Sequence, residues 1–230
     1  MCFKKSNNNQ STIFHEGKVP YFTFKKLSEA GVTHGFSTRM GGVSKGIYAS
    51  MNLSYNRGDE KEAVDENFRR IGEAIGFDSR KLVFSNQIHE THIHKVTESD
   101  CGKVMTGMDG LVTDIKGIPM YTGYADCVPL FFYDPVKEVA AMAHSGWRGT
   151  VGRIGAKMVS VMEREYGCQK ENIIAAIGPS ICKDCYEISE DVAQEFQKEF
   201  CECSREEYLE DKGNGKYQGS ELDITGWKKE

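Results

Sequence analysis

No stretch of this chain approaches the ~18 consecutive apolar residues that a membrane-crossing helix needs. The opening MCFKKSNNNQST also lacks the apolar centre of a secretory signal. No membrane partner is expected, and the cytoplasm is the expected compartment. Positive charge is short as well: 29 Lys and Arg stand against 34 Asp and Glu, a net charge of −5 with a pI near 5.8. No basic field awaits a nucleic acid, and a small anionic ligand would have to be met by local positive groups. No period of about 20 to 50 residues stands out, which excludes a repeat array.

Cysteine is not scarce, yet disulfide staples are not expected. A chain of 230 residues has the length for one domain with a substantial core, and a reducing compartment favours free thiols for its eight cysteines. Cys182-x-x-Cys185 has a motif spacing, but Cys201 and Cys203 do not match it. Buried structural thiols, a redox pair and half a zinc knuckle all fit that spacing.

The informative stretch is ADCVPLFFYDPVKEVAAMAHSGWRGT, Ala125 to Thr150. Asp134-Pro135 marks a turn between two apolar runs rich in strand formers, so a hairpin is expected. It brings Cys127, at the head of the first strand, close to His144, at the end of the second. Both are soft metal ligands. After His144, the run Gly146-Trp147-Arg148-Gly149-Thr150 reads as a glycine-rich turn opening a helix. Its N–H groups and positive dipole end suit an anion, and Arg148 adds a fixed charge.

Elsewhere the chain reads as alternating elements. Val32–Thr38 alternates as a strand before the turn Arg39-Met40-Gly41-Gly42. Arg39 is either an exposed arginine beside a glycine turn or a planar fork for phosphate. Val64, Phe68, Ile71 and Ile75 make one helical stripe, and Ile154, Met158, Val161 and Met162 make another that ends near Gly167. Leu82–Ile88 reads as a strand delivering Gln87 and His89, with His92 and His94 on the opposite face if the strand continues. Asp109 opens the strand GLVTD, where it serves as a turn former or as a buttress. Ile173–Ile177 reads as a buried strand, and Ser189 as the cap of a helix bearing Val192, Phe196 and Phe200. The fold class is α+β, a mixed α/β sandwich with sheets flanked by helices. Residues 1–12 are expected to be disordered and 13–230 to form a single catalytic domain.

The phrases HGFSTRMGGVS, NQIHETHIHKV, MDGLVTD, ADCVPLFFYDP, AHSGWRGT and GPSICKDCYEI, and more weakly ELDITGW, resemble in order and spacing one known family. It is the multicopper polyphenol oxidase or laccase-domain family of YfiH type, whose members look like purine nucleoside phosphorylases. The resemblance picks His89 from the histidine cluster and leaves His92 and His94 as surface residues. Together with Cys127 and His144 it gives a His₂Cys metal set. Family members continue past Leu222-Asp223-Ile224 into a helix and a Phe-Ser-x-Arg phrase, so this chain is expected to lack that closing stretch.

Three protein ligands suit a catalytic zinc ion, Zn²⁺, which keeps a position for water or substrate and can lower the pKa of bound water to roughly 7. Gln87, Asp126 and Ser145 are candidates for fixing the imidazoles. The resemblance implies phosphorolysis of adenosine, inosine and S-methyl-5′-thioadenosine, with adenosine deamination as a second activity. Arg39 and Arg148 are the candidate phosphate ligands. Phe36, Tyr124 and Trp147 offer faces for a purine, though each also suits a core.

A copper-dependent polyphenol oxidase is the alternative, since His₂Cys also binds Cu²⁺. The six histidines are too few for the further copper cluster of a laccase. A third reading is a zinc-stabilised interaction module without catalysis, with Cys185 as the fourth ligand. His89-Glu90 is not the H-x-E of the nucleobase deaminases.

Overall fold

In the computed structural model the described residues are 11–182, 185–201, and the strands 209–211 and 216–219. They form two compact units within the expected 13–230 domain. One comprises the described residues up to 82 with 117–119, and the other the rest. Ser11 and Thr12, expected to be disordered, are ordered instead: the Ser11 carbonyl accepts from Lys25 N at 2.8 Å, and Thr12 opens a strand. Residues 1–10 and the ELDITGW phrase lie outside the described residues.

The first unit holds a three-stranded antiparallel sheet, β1 (Thr12–His15), β2 (Tyr21–Phe24) and β3 (Phe36–Ser37), with the short helix α1 (Lys25–Glu29). The strand expected over Val32–Thr38 shrinks to β3. His34 leaves the ladder, accepting a hydrogen bond from Phe24 N with one ring nitrogen and meeting the Val32 carbonyl with the other. The helical stripe is realised in α2 (Lys61–Ile75), where Val64, Phe68 and Ile71 are buried. Each buried apolar side chain contributes about 1.5–3 kcal/mol.

Asn67 is the polar exception on α2, with no exposure at all. Its amide oxygen accepts from Val43 N at 2.8 Å, and its Nδ2 donates to Ser44 Oγ and to the carbonyls of Ser50 and Asn52. The loop after β3 is thereby folded onto the helix. Gly42 permits this approach, because a Cβ there would stand 2.0 Å from the Ser50 oxygen.

The second unit is built on a five-stranded mixed sheet of order β11-β9-β10-β7-β5. Its members are β5 (Ile93–Lys95), β7 (Gly110–Thr113), β9 (Val128–Asp134), β10 (Val139–Ser145) and β11 (Ile174–Ile177). Only β5 and β7 run parallel. β4 (Val83–Asn86), β6 (Val104–Thr106) and β8 (Met120–Tyr121) form a parallel three-stranded sheet. β12 (Glu187–Ser189), β13 (Leu209–Asp211) and β14 (Lys216–Gly219) form an antiparallel one.

The β9–β10 hairpin forms as its sequence predicts. Asp134 Oδ1 accepts from Val136 N and Lys137 N, which fixes the turn. Val128, Leu130 and Phe132 of β9, with Val139, Ala141 and Ala143 of β10, pack with Ile154, Met158 and Met162 of α4 (Ile154–Tyr166) in one core. Strand alternation then sends His144 to the other face. α4 ends at Gly167, whose left-handed φ of 66° lets its N–H reach the Glu163 carbonyl and Cys168 N reach that of Met162.

Three expectations change. β11 is half-buried rather than buried, because it is the edge of its sheet. The helix following the glycine-rich turn is two helices, α3 (Trp147–Val151) and α4, broken where Arg153 adopts φ 59°. Gly152 at the break admits Thr91, whose methyl would lie 2.6 Å from a Cβ. Ser189 does precede α5 (Glu190–Glu199), but its side chain makes no capping hydrogen bond. Among the described residues no helix is long and apolar enough to cross a membrane.

Candidate metal centre

His144 comes from β10, Cys127 from the residue before β9, and His89 from the turn after β4. The register pairs His144 with Pro129 and Ser145 with Val128, so Cys127 falls beside Gly146 just beyond the ladder. The donor atoms of His89, Cys127 and His144 all lie within 4.8 Å of one another. The two imidazoles meet edge to face, with centroids 4.8 Å apart and planes at 88°. Gly146 faces all three. A Cβ on it would stand 3.1 Å from His89 Cδ2, 3.2 Å from Cys127 Sγ and 3.5 Å from His144 Cε1.

Asp109 organises this cluster. Its carboxylate is fully buried and accepts backbone N–H groups from Ile88, His89 and Glu90 at 3.0–3.1 Å. Oδ1 also meets His144 Nδ1 at 3.0 Å, while the Asp109 carbonyl accepts from His144 N at 2.7 Å. Burial pushes the Asp109 carboxyl up, but the hydrogen bonds from His144, Glu90 and Ile88 outweigh it and the net shift is downward. An ionised carboxylate only accepts, so Nδ1 of His144 carries the proton and Nε2 is left for a metal.

The same carboxylate explains why the strand expected over Leu82–Ile88 stops at Asn86. Residues 88–90 turn around it, and His89 takes a left-handed φ of 63°. Such a conformation costs a non-glycine residue about 1–3 kcal/mol, which the three N–H contacts offset. Burial, then the neighbouring His144, holds the His89 imidazole below its ordinary pKa, with Arg148 adding to the effect. A neutral imidazole is the form that ligates.

His92 and His94 stand apart. His92 Nδ1 meets the Gly107 carbonyl at 3.2 Å, and His94 Nε2 meets Asp100 Oδ2 at 3.1 Å. Arg148, exposed in α3, lays its guanidinium 4.1 Å from the Trp147 ring centre. Arg39 belongs to the first unit, where its Nη2 donates to the Ala49 carbonyl at 3.0 Å. Among the candidate stacking residues, the Tyr124 hydroxyl bonds Thr122 Oγ1 and donates to the Ala143 carbonyl, with the ring 5.8 Å from His144. Trp147 packs against the cluster of Ile188, Ala193, Phe196 and Phe200, and Phe36 pairs with Phe22 in the first unit's sheet.

The three supporting candidates have other engagements. Ser145 Oγ pairs with Thr150 Oγ1 at 2.8 Å, and the exposed Asp126 accepts from Ile181 N through its carbonyl. Gln87 Nε2 is enclosed with no hydrogen-bond partner among the described residues. Asp109 does for His144 what sequence reasoning gave to these three. Its one signal, an aspartate before glycine at a strand's start, is the same as that of an ordinary turn.

Cys185 is not in the three-donor group and meets Cys182 Sγ at 3.2 Å, so the four-ligand site of an interaction module is not formed by it. The donor set fits a soft or borderline cation that accepts imidazole and thiolate together.

The family described as multi-copper polyphenol oxidoreductase laccase matches residues 33–226. The chain is 43% identical over 179 residues to a purine nucleoside phosphorylase of Deinococcus radiodurans, covering 78% of this chain and 68% of that one. It is 38% identical over 168 residues to purine nucleoside phosphorylase YlmD of Bacillus subtilis, covering 70% and 60%. Adenosine deaminase RL5, from an unknown prokaryotic organism, is 35% identical over 171 residues, covering 71% and 65%. The chain thus spans about two thirds, or less, of the length of these relatives. The crystal structure of Bacillus licheniformis hypothetical protein YfiH matches with a TM-score of 0.86 at 29% identity, over 92% of this chain and 81% of that one. Sequence motifs, fold and family match agree, and the chain belongs to the multi-copper polyphenol oxidoreductase laccase family.

Proposed function

We propose that this chain is a zinc-dependent purine nucleoside phosphorylase, acting on adenosine, inosine and S-methyl-5′-thioadenosine, with adenosine deamination as a second activity. The observation that carries the proposal is the open three-donor set of His89, Cys127 and His144. The names of the relatives at 34–43% identity point the same way.

A zinc ion held by these residues would supply Lewis-acid polarisation of an oxygen. The chain's own groups do the rest. Asp109 fixes the His144 tautomer and the His89 turn, so the donors are set before any ligand arrives. Arg148 binds phosphate by charge-assisted hydrogen bonds, and Gln87 donates its unmatched N–H to the bound ligand. In phosphorolysis a phosphate oxygen bonds the sugar carbon as the bond to the purine nitrogen breaks, and the departing base takes a proton. In deamination water adds to the purine carbon and ammonia leaves. Arg148 beside the cluster favours the anionic attacker whenever phosphate is present.

Copper-dependent phenol oxidation is the second reading, favoured by the family's description. Against it, the other histidines have local partners: His15 bonds Thr23, His34 the Phe24 and Val32 backbone, His92 Gly107 and His94 Asp100. Among the described residues there is one three-donor group.

Chromatography of adenosine incubated with the zinc-loaded protein decides between these readings. Adenine and ribose 1-phosphate are expected with phosphate, and inosine without it. Both are lost in Cys127→Ala and His144→Ala, which should also retain no stoichiometric zinc by elemental analysis. No turnover of any purine nucleoside by a folded, zinc-loaded sample would overturn the proposal. Stoichiometric copper with oxygen-dependent phenol oxidation would install the second reading.

A further inference from the structure

The proposed activity leaves Cys182 and Cys185 unused. Both are exposed, and their sulfurs lie 3.2 Å apart. Their nearness is imposed by the backbone. Cys185 N donates to the Cys182 carbonyl at 3.0 Å, which holds the two residues close. Before Cys182, Gly178 N is tied to the Pro129 carbonyl and Ile181 N to the Asp126 carbonyl. Gly178 is needed there, since a Cβ would meet Pro129 Cγ at 2.8 Å. After Cys185, Tyr186 packs against the cluster of Ile188, Ala193, Phe196 and Phe200. Two anchored flanks thus hold two solvent-facing thiols against each other.

Cys168 shows the contrast. It is 5% exposed, and burial, helped by Asp134, pushes its thiol up to about 12. A thiol so buried and so far from ionising is inert to exchange. The exposed pair has the two features that Cys168 lacks: access for an oxidant and a resolving partner already in contact.

We infer that Cys182 and Cys185 form a reversible dithiol–disulfide site whose oxidant is a low-molecular-weight disulfide. One cysteine, as thiolate, attacks a sulfur of the small disulfide. A mixed disulfide forms, and one small thiolate leaves and takes up a proton. The second cysteine, having lost its proton, attacks the protein-side sulfur of that mixed disulfide. The Cys182–Cys185 bond forms and the second small thiol is released. Two protein thiols are oxidised, one small disulfide is reduced to two thiols, and atoms and electrons balance. A disulfide bond is about 2.05 Å long, so closure asks the two sulfurs to approach by roughly an ångström.

The test incubates the zinc-loaded full chain with oxidised glutathione, alkylates the remaining thiols and maps them by peptide mass spectrometry. The peptide holding Cys182 and Cys185 is expected to be lighter by two hydrogens, closed to alkylation, and reopened by dithiothreitol. Cys182→Ser and Cys185→Ser should each stop at a glutathione adduct on the remaining thiol. Cys168→Ser should leave the pair's behaviour unchanged. The inference is overturned if both thiols stay alkylatable in excess oxidised glutathione, if the intact chain stops at the mixed adduct, or if either cysteine bonds preferentially to another.

Discussion

Asn67, in a helix of the first unit, and Asp109, before a strand of the second, play comparable parts. Each is a polar side chain with no exposure, and each gathers the backbone of a loop around itself. Asn67 does so as a neutral amide, with one group accepted and three donated to, and every partner is scaffold. Asp109 does so as a carboxylate held in the ionised form, and one of its four donors is the imidazole of a candidate metal ligand. A buried amide shapes a loop at little electrostatic cost. A buried carboxylate is costly to desolvate, and it persists where its charge sets the protonation of something else. The difference tells scaffold from chemistry.

The sharpest break in the comparison is to make the second residue like the first. Asp109→Asn has one acceptor oxygen where the carboxylate has two, and it presents an N–H group to donors that need an acceptor. His144 would no longer be held with its proton on Nδ1. Metal affinity, read by competition with a chelator, is expected to fall about 10- to 100-fold. Unchanged affinity would reduce Asp109 to a turn former.

The converse change should leave the metal alone. Asn67→Ala orphans Val43 N and the Asn52 carbonyl, and leaves the Ser50 carbonyl with Ser44 N alone. A loss of at least about 2 kcal/mol is expected, as a lower urea midpoint with an unchanged slope. Zinc per folded chain should not change. A zinc-depleted but folded variant would overturn a purely structural part for Asn67.

How far the two loops were legible in the sequence follows from what holds them. The β9–β10 hairpin could be read because its turn residues and strand formers are consecutive, and it alone brings Cys127 and His144 together. The α2 stripe could be read because its period is local. Neither Asn67 nor Asp109 could be assigned, since their partners are 15 to 24 residues away for Asn67 and 19 to 35 for Asp109. The left-handed turn at His89 was hidden for the same reason, and strand alternation gave a false geometry for His92 and His94. His89 itself came from family resemblance rather than from periodicity.

Gly146 gives a smaller effect on the same cluster. Its φ of −72° and ψ of 173° suit any residue, so Gly146→Ala should cost little stability. The added methyl would press on His89, Cys127 and His144 at 3.1–3.5 Å. His89 has little freedom to retreat, because Asp109 pins its backbone. A weakening of metal binding by less than about tenfold is expected by calorimetry, below the range that loss of a supporting carboxylate gives. Equal affinity would mean that the three donors close on the metal away from Gly146.

The smallest effect compares the two arginines, one in each unit. Arg39 gives one N–H to the Ala49 carbonyl, while Arg148 lies over the Trp147 ring beside the metal cluster. Arg148 is the proposed phosphate ligand and Arg39 the other candidate that the sequence offers, and lysine would keep the charge at either place but lose the planar fork. A charge-assisted hydrogen bond is worth about 1.5–3 kcal/mol, and lysine keeps part of that, so the phosphate KM should rise by several-fold rather than by orders of magnitude. The nucleoside KM and the zinc content should stay fixed, which separates a lost phosphate contact from a damaged fold. Arg148→Lys has the clearer expectation, because the stack on Trp147 orients a guanidinium and cannot orient an ammonium in the same way. If Arg148→Lys alone raises the phosphate KM, the anion is held by the second unit and Arg39 is a scaffold residue like Asn67. If neither variant changes it, phosphate binds elsewhere and the glycine-rich turn of α3 has only a structural part.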